Sequence, residues 1–553
     1  MLMPLNINFI GRHIVKTMSK IKNAFIGVIL VCAAVKTVAQ TNPIPALIEK
    51  NGRHALLVDG KPFLILGGQV HNSSGWPAML PQVWQYAAAM HLNTLEIPLY
   101  WEQVEPQPGK FNFSLIDTLL TLARQHQVRL VLLWFGTWKN GSNHYMPGWM
   151  KQDAVKYPNI TGPAGKEVDS PSPHSKATLD ADINAFTAVM HYLKQADQQH
   201  TVIMVQVENE PGSWGAVRDY SAKAQKLFEA DVPAGLLKPS VLKAISIPGN
   251  AKGTWKSVFG DRADEYFQAW WVARFIDQVA AAGKAEYPLP LYVNVALRDP
   301  LTNPPATRYE SGGATDNVIP IWKLAAPHID LLAPDIYLEG SGRVQKVIDL
   351  YTRPDNALFV PEAGFTTENA RYFYDVLTHG GIGFSPFGID DNGESYTGDQ
   401  QAERLATYAR AYEAAKPMMP QLAQWAFEGK IKAVVEHEDH AGQIIKFDAW
   451  DAFITFGTGP GNALKTNPLL LGKAMMIALA ENKFVLIGSH CHLTFKPTGS
   501  NAGKPWQYLK VEEGTYLNGE FKPLRILNGD ETDWGGPGTG AKTTVLQISL
   551  VVR

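Results

Sequence analysis

The sequence has little cysteine, almost no net charge, and a first apolar run too short for a membrane span. Its two cysteines are Cys32 and Cys491, so stability must come from a large apolar core, not from disulfides. Its 50 basic and 52 acidic residues leave a net charge of -2, whereas a non-specific nucleic-acid binder would be more basic. The run from Ala24 to Val35 is shorter than the roughly 20 apolar residues of a membrane helix. These features exclude a disulfide scaffold and disfavour nucleic acid as a partner.

The N-terminus has the order of a secretory signal peptide. Lys20 and Lys22 precede the apolar run, and small residues follow it up to Ala39. This order is typical of a cleaved targeting segment. We therefore predict a signal peptide over residues 1–40, cleavage near Ala39 or Gln40, and a periplasmic or secreted mature protein without stable membrane association. A buried N-terminal helix is the alternative interpretation.

From residue 43 onward, short apolar runs alternate with stretches of helical periodicity. This alternation indicates βα units around a parallel sheet, and runs that are apolar on both faces are typical of strands covered by helices. We predict an α/β fold, a (β/α)8 TIM barrel over residues 41–418. The predicted strands are 63–70, 94–100, 129–135, 201–207, 289–296, 329–337, 358–361 and 382–387.

One predicted helix and two long loops add detail to this barrel. Residues 261–282 have apolar side chains at helical spacing, and Gly283 is expected to end that helix. Long loops follow the third and fourth strands, over 136–176 and 211–261. Barrel active sites are built from loops at the carboxyl ends of the strands, so these insertions favour a walled pocket.

After residue 418 the helical pattern fades and short β-like runs appear, separated by glycine and proline. We predict a β-sandwich-like C-terminal domain over residues 419–553. Its predicted strands are 432–435, 443–447, 452–456, 484–487, 493–495, 508–511 and 544–552.

Carboxylates follow two of the predicted barrel strands. Glu208 and Glu210 come at the end of the fourth strand, and Glu362 comes at the end of the seventh. An acid next to a buried strand needs a partner or a function. In a regular strand Glu208 and Glu210 would point to opposite sides, so we expect only Glu210 to reach the site and Glu208 to be structural.

Two carboxyl groups across a barrel mouth are suited to glycoside hydrolysis. One must be protonated to donate to the leaving oxygen, while the other must be ionised. Retention of configuration needs the groups ~5 Å apart, whereas inversion needs ~6.5 to 9.5 Å. Sequence alone leaves both outcomes open.

The chain resembles the β-galactosidases of glycoside hydrolase family 35, whose catalytic domain is a barrel. The resemblance covers roughly residues 50–415, and the stretch Trp101 to Phe113 resembles the family's Trp-x-x-x-Glu-Pro-x-Pro-Gly-x-Phe-x-Phe signature. The matching segments are 66–71, 92–106, 205–212 and 360–364. The resemblance implies a retaining exo-β-galactosidase that releases terminal non-reducing β-D-galactose.

The resemblance also implies roles for individual residues. Glu210, which follows an asparagine, corresponds to the acid/base, and Glu362 corresponds to the nucleophile. Asn209 corresponds to the group that binds the sugar 2-OH. Tyr337 is the candidate for supporting the nucleophile, and Tyr100 lies where the family's second strand contacts galactose.

One segment departs from the family. Many relatives carry Cys-Ala-Glu-Trp after the third strand, where the glutamate helps to hold galactose, but residues 133–140 contain no acid. Sugar recognition is therefore expected to involve Trp138, Lys139 or Asn140. In this respect the chain resembles a bacterial branch of the family that is linked to plant cell-wall breakdown. This resemblance suggests galactosylated xyloglucan-type fragments as substrates.

The predicted double displacement requires neither a metal nor a cofactor. Two alternatives stay open at this point. The first is an endo-acting β-glucanase or mannanase with the same mechanism. The second is a carbohydrate-binding protein without catalysis, which the presence of both predicted carboxylates disfavours.

Overall fold

The computed structural model describes residues 42–391, 398–461 and 463–553. The predicted signal peptide, residues 1–40, lies outside the described residues. The described chain begins with a three-stranded antiparallel sheet. Its strands are Ala46–Lys50, Arg53–Val58 and Lys61–Phe63.

The predicted (β/α)8 barrel is confirmed. Eight parallel strands close into a barrel in chain order, with the first strand pairing with the second and the eighth. The strands are Ile65–Gln69, Thr94–Tyr100, Arg129–Lys139, Val202–Asn209, Leu291–Ala296, Leu331–Ile336, Val360–Ala363 and Gly383–Pro386. Nearly every strand residue is buried, because each strand has barrel interior on one face and helices on the other.

Helices cover the outside of the barrel, and short helices also lie in its loops. The α-helices are Leu80–Ala89, Trp101–Val104, Ser114–His126, Gly148–Lys151, Lys176–Ala196, Ala222–Phe228, Pro239–Ala244, Trp255–Phe259, Ala263–Glu286, Ile319–Ala325, Ser341–Tyr351, Tyr372–Thr378, Gly398–Ala415, Met419–Phe427 and Asp530–Asp533. Single 3-10 turns lie at Gly260–Arg262, Ala306–Arg308, Asn369–Arg371, Lys416–Met418 and Gly499–Asn501. Among the described helices, none combines the length and apolarity that crossing a membrane requires.

The prediction that Gly283 ends its helix is wrong, because the helix Ala263–Glu286 continues through it. A methyl group at position 283 would overlap the ring of Phe186, approaching its Cδ1 to 2.7 Å. Glycine therefore serves here to bring two helices together. The cost of glycine inside a helix is about 1 kcal/mol, which close packing of the neighbouring ring can offset.

The two predicted long loops contain short elements. The loop after the third strand carries a hairpin of strands Asn159–Thr161 and Glu167–Pro171. The loop after the fourth strand contains three short helices between residues 222 and 259. Both loops therefore contain regular secondary structure with its own hydrogen bonds, which suits them to form the wall of a pocket.

The C-terminal region forms two antiparallel sheets, as predicted. The six-stranded sheet contains Ile431–Val435, Lys473–Ala480, Lys483–Ser489, Thr544–Val552, Trp506–Leu517 and Glu520–Leu527. The four-stranded sheet contains Gln443–Lys446, Trp450–Phe456, Cys491–Pro497 and Gly538–Thr539. The helix Met419–Phe427, beyond the predicted boundary at residue 418, contacts the N-terminal strands Arg53–Val58 and Lys61–Phe63.

The six-stranded sheet is buried on both faces. Met475 and Ile477 belong to the apolar core shared with the barrel, while Ala474 and Met476 belong to the core between the two sheets. Successive side chains of a strand point to opposite faces, so one strand supplies both cores. The C-terminal domain is therefore packed directly onto the barrel.

Candidate active site

Glu210 follows the fourth barrel strand on an unusual backbone. Both Glu208 and Glu210 have left-handed conformations, with φ of 64° and 42°. Such conformations cost about 1–3 kcal/mol each and persist only where neighbours enforce them. Here Gln206 Nε2 donates to the Glu208 carbonyl at 2.9 Å, and the Glu210 amide donates to Asn294 Oδ1 at 2.8 Å. The strand end is therefore not the regular alternation assumed from sequence.

Glu208 is a structural residue, as expected. It is fully buried, and its Oε2 accepts a hydrogen bond from the Trp138 amide at 2.7 Å. Burial, followed by the charge of Asp182, raises the pKa of Glu208 well above its ordinary value. Its side chain thus supports the end of the third strand.

Glu362 lies on the seventh strand, in register with Asp335 on the sixth. Two donors contact its carboxylate. Gln69 Nε2 lies 2.6 Å from Oε1, and the Tyr337 hydroxyl lies 2.9 Å from Oε2. Two donors, one on each oxygen, fix the position of this side chain at the barrel mouth.

The two predicted catalytic glutamates lie close together. Carboxylate oxygens of Glu210, Asp335 and Glu362 all lie within 4.8 Å of one another. This separation matches the ~5 to 5.5 Å of retaining glycosidases and is too short to accommodate the water of an inverting enzyme. Such a trio could also hold a cation, and within the described ranges it is the one cluster of potential metal ligands with that geometry.

The surroundings of Glu210 favour its protonated form. Burial and then the charge of Glu362 raise the pKa of Glu210 to about 7, against the opposing effects of Lys139 and of Asp335. Burial and the two neighbouring glutamates also raise the pKa of Asp335 well above its ordinary value. A carboxyl that is partly protonated near neutral pH can act as a general acid.

Asn209 is oriented by Lys139. The Lys139 ammonium donates to Asn209 Oδ1 at 2.8 Å, which leaves the amide nitrogen as the free end of the side chain. Asn209 Nδ2 is buried and has no hydrogen-bond partner among the described residues. Buried donors are nearly always satisfied in native proteins, so an unpaired one at this position is suited to a ligand hydroxyl.

Asn140 connects the third-strand extension to Glu210. Its Nδ2 donates to Glu210 Oε2 at 2.7 Å, and its backbone amide donates to the Asn209 carbonyl at 3.1 Å. The barrel strand continues to Lys139, beyond the predicted end at residue 135. This extension brings a lysine and an asparagine to the site in the segment where the family's acid is absent.

Tyr100 and Trp138 lie elsewhere. The Tyr100 hydroxyl donates to the Asn72 carbonyl at 2.7 Å and accepts from the Gly75 amide at 3.0 Å, so it ties down the loop after the first strand. The Trp138 ring is fully buried against Phe275, with centroids 4.8 Å apart. Both placements are those of packing residues, and neither side chain contacts the two glutamates.

Sequence reasoning assigned no role to Gln69, Asp335 or Asn294, although all three contact the catalytic pair or its backbone. Each is a polar side chain at the carboxyl end of an apolar barrel strand. That is the same signal that identified Glu210 and Glu362, and applied to every strand it would have found them.

A cavity of about 950 Å³ opens beside Tyr337. The barrel contributes His71, Phe387 and Arg371 to its lining, and the C-terminal domain contributes Glu438 and Leu470. Glu438 Oε1 accepts from the Ser341 amide at 2.8 Å, which fixes the domain against the barrel at this wall. The C-terminal domain therefore shapes a cavity at the barrel mouth.

An eight-stranded parallel barrel with two close carboxyl groups at its mouth is an architecture suited to glycoside hydrolysis. Residues 55–158 match the family described as glycosyl hydrolases family 35. This match confirms the resemblance to that family over this stretch of the barrel. Residues 408–536 match a domain of unknown function, DUF5597.

Curated relatives match parts of the chain. A β-galactosidase of Xanthomonas manihotis is 27% identical over 240 residues, which are 38% of this chain and 38% of the relative. Beta-galactosidase 11 of Arabidopsis thaliana is 40% identical over 60 residues, which are 11% of this chain and 7% of the relative. The chain thus spans well under two thirds of the length of these relatives.

Solved structures with a similar arrangement include two bacterial β-galactosidases. For the enzyme of Bacillus circulans sp. alkalophilus, the TM-score is 0.46 at 14% identity, over 65% of this chain and 57% of the other. For the enzyme of Rahnella sp. R3, the TM-score is 0.48 at 14% identity, over 66% and 58% of the two chains.

Proposed function

We propose that the protein is a retaining exo-β-galactosidase that releases terminal non-reducing β-D-galactose from oligosaccharides. The observation that carries the mechanism is the separation of at most 4.8 Å between carboxylate oxygens of Glu210 and Glu362. The proposed galactose specificity is supported by the family match and by the similarity to relatives named as β-galactosidases. Galactosylated xyloglucan-type fragments of plant cell walls are the proposed natural substrates.

The reaction proceeds in two displacements. Glu362 attacks the anomeric carbon while Glu210 donates its proton to the glycosidic oxygen, so the C–O bond breaks and the aglycone leaves as an alcohol. Water then attacks the galactosyl ester, with Glu210 as base, and returns Glu362 to its carboxylate form. Two inversions at the same carbon give net retention.

Neighbouring groups support each step. Gln69 and Tyr337 hold the carboxylate of Glu362 in place before attack. Asn209 Nδ2, unpaired among the described residues, is available to the sugar 2-OH, where hydrogen bonds strengthen in the transition state. The pKa of about 7 for Glu210 matches the dual role of acid and then base.

Exo action is supported by the loops after the third and fourth strands. They carry the hairpin of residues 159–171 and the short helices between residues 222 and 259. Walls of this kind favour a pocket that admits a chain end over an open groove that admits a polymer.

The first test is hydrolysis of 4-nitrophenyl β-galactoside beside the β-glucoside, β-mannoside and β-xyloside, with Glu362→Gln as control. We expect preference for the galactoside, loss of turnover in the variant, and a β-anomer as first product by proton NMR. Turnover of another glycoside would overturn the specificity, and an oligosaccharide ladder from polymer would favour endo action. Inertness on all four would favour a binding protein.

We further propose a periplasmic or secreted location, since the N-terminal sequence has the order of a signal peptide. N-terminal sequencing of the protein purified from its host is expected to begin near Gln40 or Thr41. A chain that retained its first 39 residues would refute this proposal.

A further inference from the structure

Trp214 lies four residues beyond Glu210 with its indole 48% exposed. Single exposed apolar side chains are common and need no explanation by themselves. Trp214 differs from such residues because a buried carboxyl group lies next to it. A buried polar side chain is more informative about function than a single exposed apolar one.

That group is Glu310, which is 2% exposed and lies in the loop after the fifth strand. Its Oε1 has no hydrogen-bond partner in the described part of the chain. Burial, followed by the charge of Glu210, raises the pKa of Glu310 well above its ordinary value, while Lys139 and the neighbouring Trp214 side chain act against this rise. Burying a carboxyl without a hydrogen-bond partner is costly, so a role in positioning the neighbouring indole would account for its presence.

The two side chains meet over Gly141. A methyl group at position 141 would overlap Glu310 Oε1 and would lie 3.1 Å from Trp214 Cδ1. Gly141 also has a φ of 70°, so both its conformation and its neighbours require glycine. The indole and the carboxyl therefore pack together over the backbone of Gly141, where no side chain separates them.

The backbone beside both residues is locked. Ser213 and Ser311 exchange hydrogen bonds between their amides and carbonyls, at 2.8 and 3.0 Å. Each serine adjoins one of the two residues in the chain, so Trp214 and Glu310 are held by a small bridge between the loops after the fourth and fifth strands. A platform needs such fixed support.

The platform lies on the Glu210 side of the catalytic pair. The Gly141 amide donates to the Glu210 carbonyl at 3.1 Å, and the preceding Asn140 donates to Glu210 Oε2 at 2.7 Å. Glu362, in contrast, is contacted by Gln69 and Tyr337 from the other side of the barrel mouth. A general acid protonates the leaving oxygen, so the leaving group lies next to it.

We propose that Trp214 is the platform on which the leaving-group sugar ring stacks, and that Glu310 is the positioning residue that holds the indole. This inference rests on the proposed function and adds the chemistry of the aglycone, a pyranose with an apolar face. The flat faces of aromatic rings provide contact area at low conformational cost, and such contacts contribute beyond area burial.

The test compares two β-galactosides in the full-length protein. Lactose has a glucose ring as its leaving group, whereas methyl β-galactoside has none. Trp214→Ala is expected to lower the ratio of kcat/KM for lactose to that for methyl β-galactoside by roughly threefold to tenfold. Trp534→Ala is the matched control, because Trp534 is 50% exposed on the C-terminal domain and lies beside an acidic residue, its Nε1 donating to Asp530 Oδ1 at 3.1 Å.

The role of Glu310 is tested by the same ratio. Glu310→Ala is expected to lower it as Trp214→Ala does, and the double variant is expected to lower it no further. Glu310→Gln, which retains volume and an acceptor, is expected to restore most of the ratio and guards against misfolding of the alanine variant. The positioning role of Glu310 would be refuted if the two substitutions lowered the ratio additively in the double variant. An unchanged ratio in Glu310→Ala would also refute it.

Failure of this inference differs from failure of the proposed function. Equal loss on both galactosides in Trp214→Ala, or loss of the ratio in the Trp534→Ala control, would refute the platform while β-galactosidase activity stands. If the wild-type protein cleaves another glycoside instead, the platform is tested with that sugar. The ratio then compares kcat/KM for a disaccharide of that sugar with kcat/KM for its methyl glycoside. A wild-type protein inert on every glycoside would overturn both proposals.

Discussion

The substitution Glu362→Gln should lower the pKa of Glu210 while leaving the site intact in shape. The amide replaces a carboxylate of nearly equal volume and removes its charge. That charge lies within 4.8 Å of the Glu210 carboxyl and is, after burial, the second cause of the raised pKa of Glu210. Removing it makes ionisation of Glu210 easier, so the pKa moves down toward its ordinary value.

The size of the shift follows from the same environment. A rise in the pKa of Glu210 from 4.5 to about 7 corresponds to about 3 kcal/mol at 1.36 kcal/mol for each pKa unit. Burial is the largest cause and the charge of Glu362 is the second, while Lys139 and Asp335 act in the opposite direction. We therefore expect the pKa of Glu210 to fall by about one unit.

The assay is a carboxyl-carbon NMR titration of protein labelled with 13C-glutamate, which does not depend on turnover by the inactive variant. The signal of Glu210 is assigned from its absence in Glu210→Gln. Wild-type Glu210 should titrate near pH 7 and the Glu362→Gln variant about one unit lower. Titration of wild-type Glu210 near 4.5, or an unchanged pKa in the variant, would refute the account of how the acid is prepared.

Three further predictions follow from the fold and the site. Lys139→Met removes a charge that lowers the pKa of Glu210, so the alkaline limb of the kcat/KM profile should move to higher pH as kcat/KM falls roughly tenfold; a limb that moved to lower pH would contradict this sign. Gly283→Ala overlaps Phe186 and should lower the free energy of unfolding by about 1–3 kcal/mol, whereas Gly342→Ala, with open space in its helix, should not destabilise in the same denaturant titration. Incubation with EDTA should leave kcat/KM unchanged, since the two-carboxylate reaction uses no cation, and a loss of activity would assign a cation to the acidic trio.

The barrel could be predicted from sequence because its strands are buried on both faces. Most of the strands read as short apolar runs rich in leucine, isoleucine and valine, and these runs alternate with helical stretches. Three strands of the C-terminal sheets escaped prediction, of which Gly538–Thr539 has only two residues. Lys473–Ala480 serves two cores and has no apolar alternation, whereas Glu520–Leu527 contains Pro523 and is largely exposed at a sheet edge.

The geometry of the site could be predicted only in part. The presence of acids at strand ends identified Glu210 and Glu362 as candidates, but the directions of side chains depend on backbone conformations that sequence does not reveal. The segment that ends the third strand illustrates the difficulty, because Lys139 contacts Asn209 while Trp138 packs against the helix layer. Lys139 ends the strand, and Asn140, with a φ of 52°, lies just beyond it. Both therefore reach the site, although adjacent residues of a regular strand point to opposite faces.

The support of the two glutamates is divided between barrel and loops. Gln69 ends the first strand and Tyr337 follows the sixth, so the donors that hold the charge of Glu362 are supplied by the barrel framework itself. The Glu210 backbone amide contacts Asn294 on the fifth strand, but its carboxylate is contacted by Asn140, beyond the end of the third strand. The Glu210 backbone also adjoins Gly141 beneath Trp214. Loops tolerate more sequence change than barrel strands do. The nucleophile can therefore stay fixed while the acid side of the site, where the leaving group lies, adapts to different aglycones.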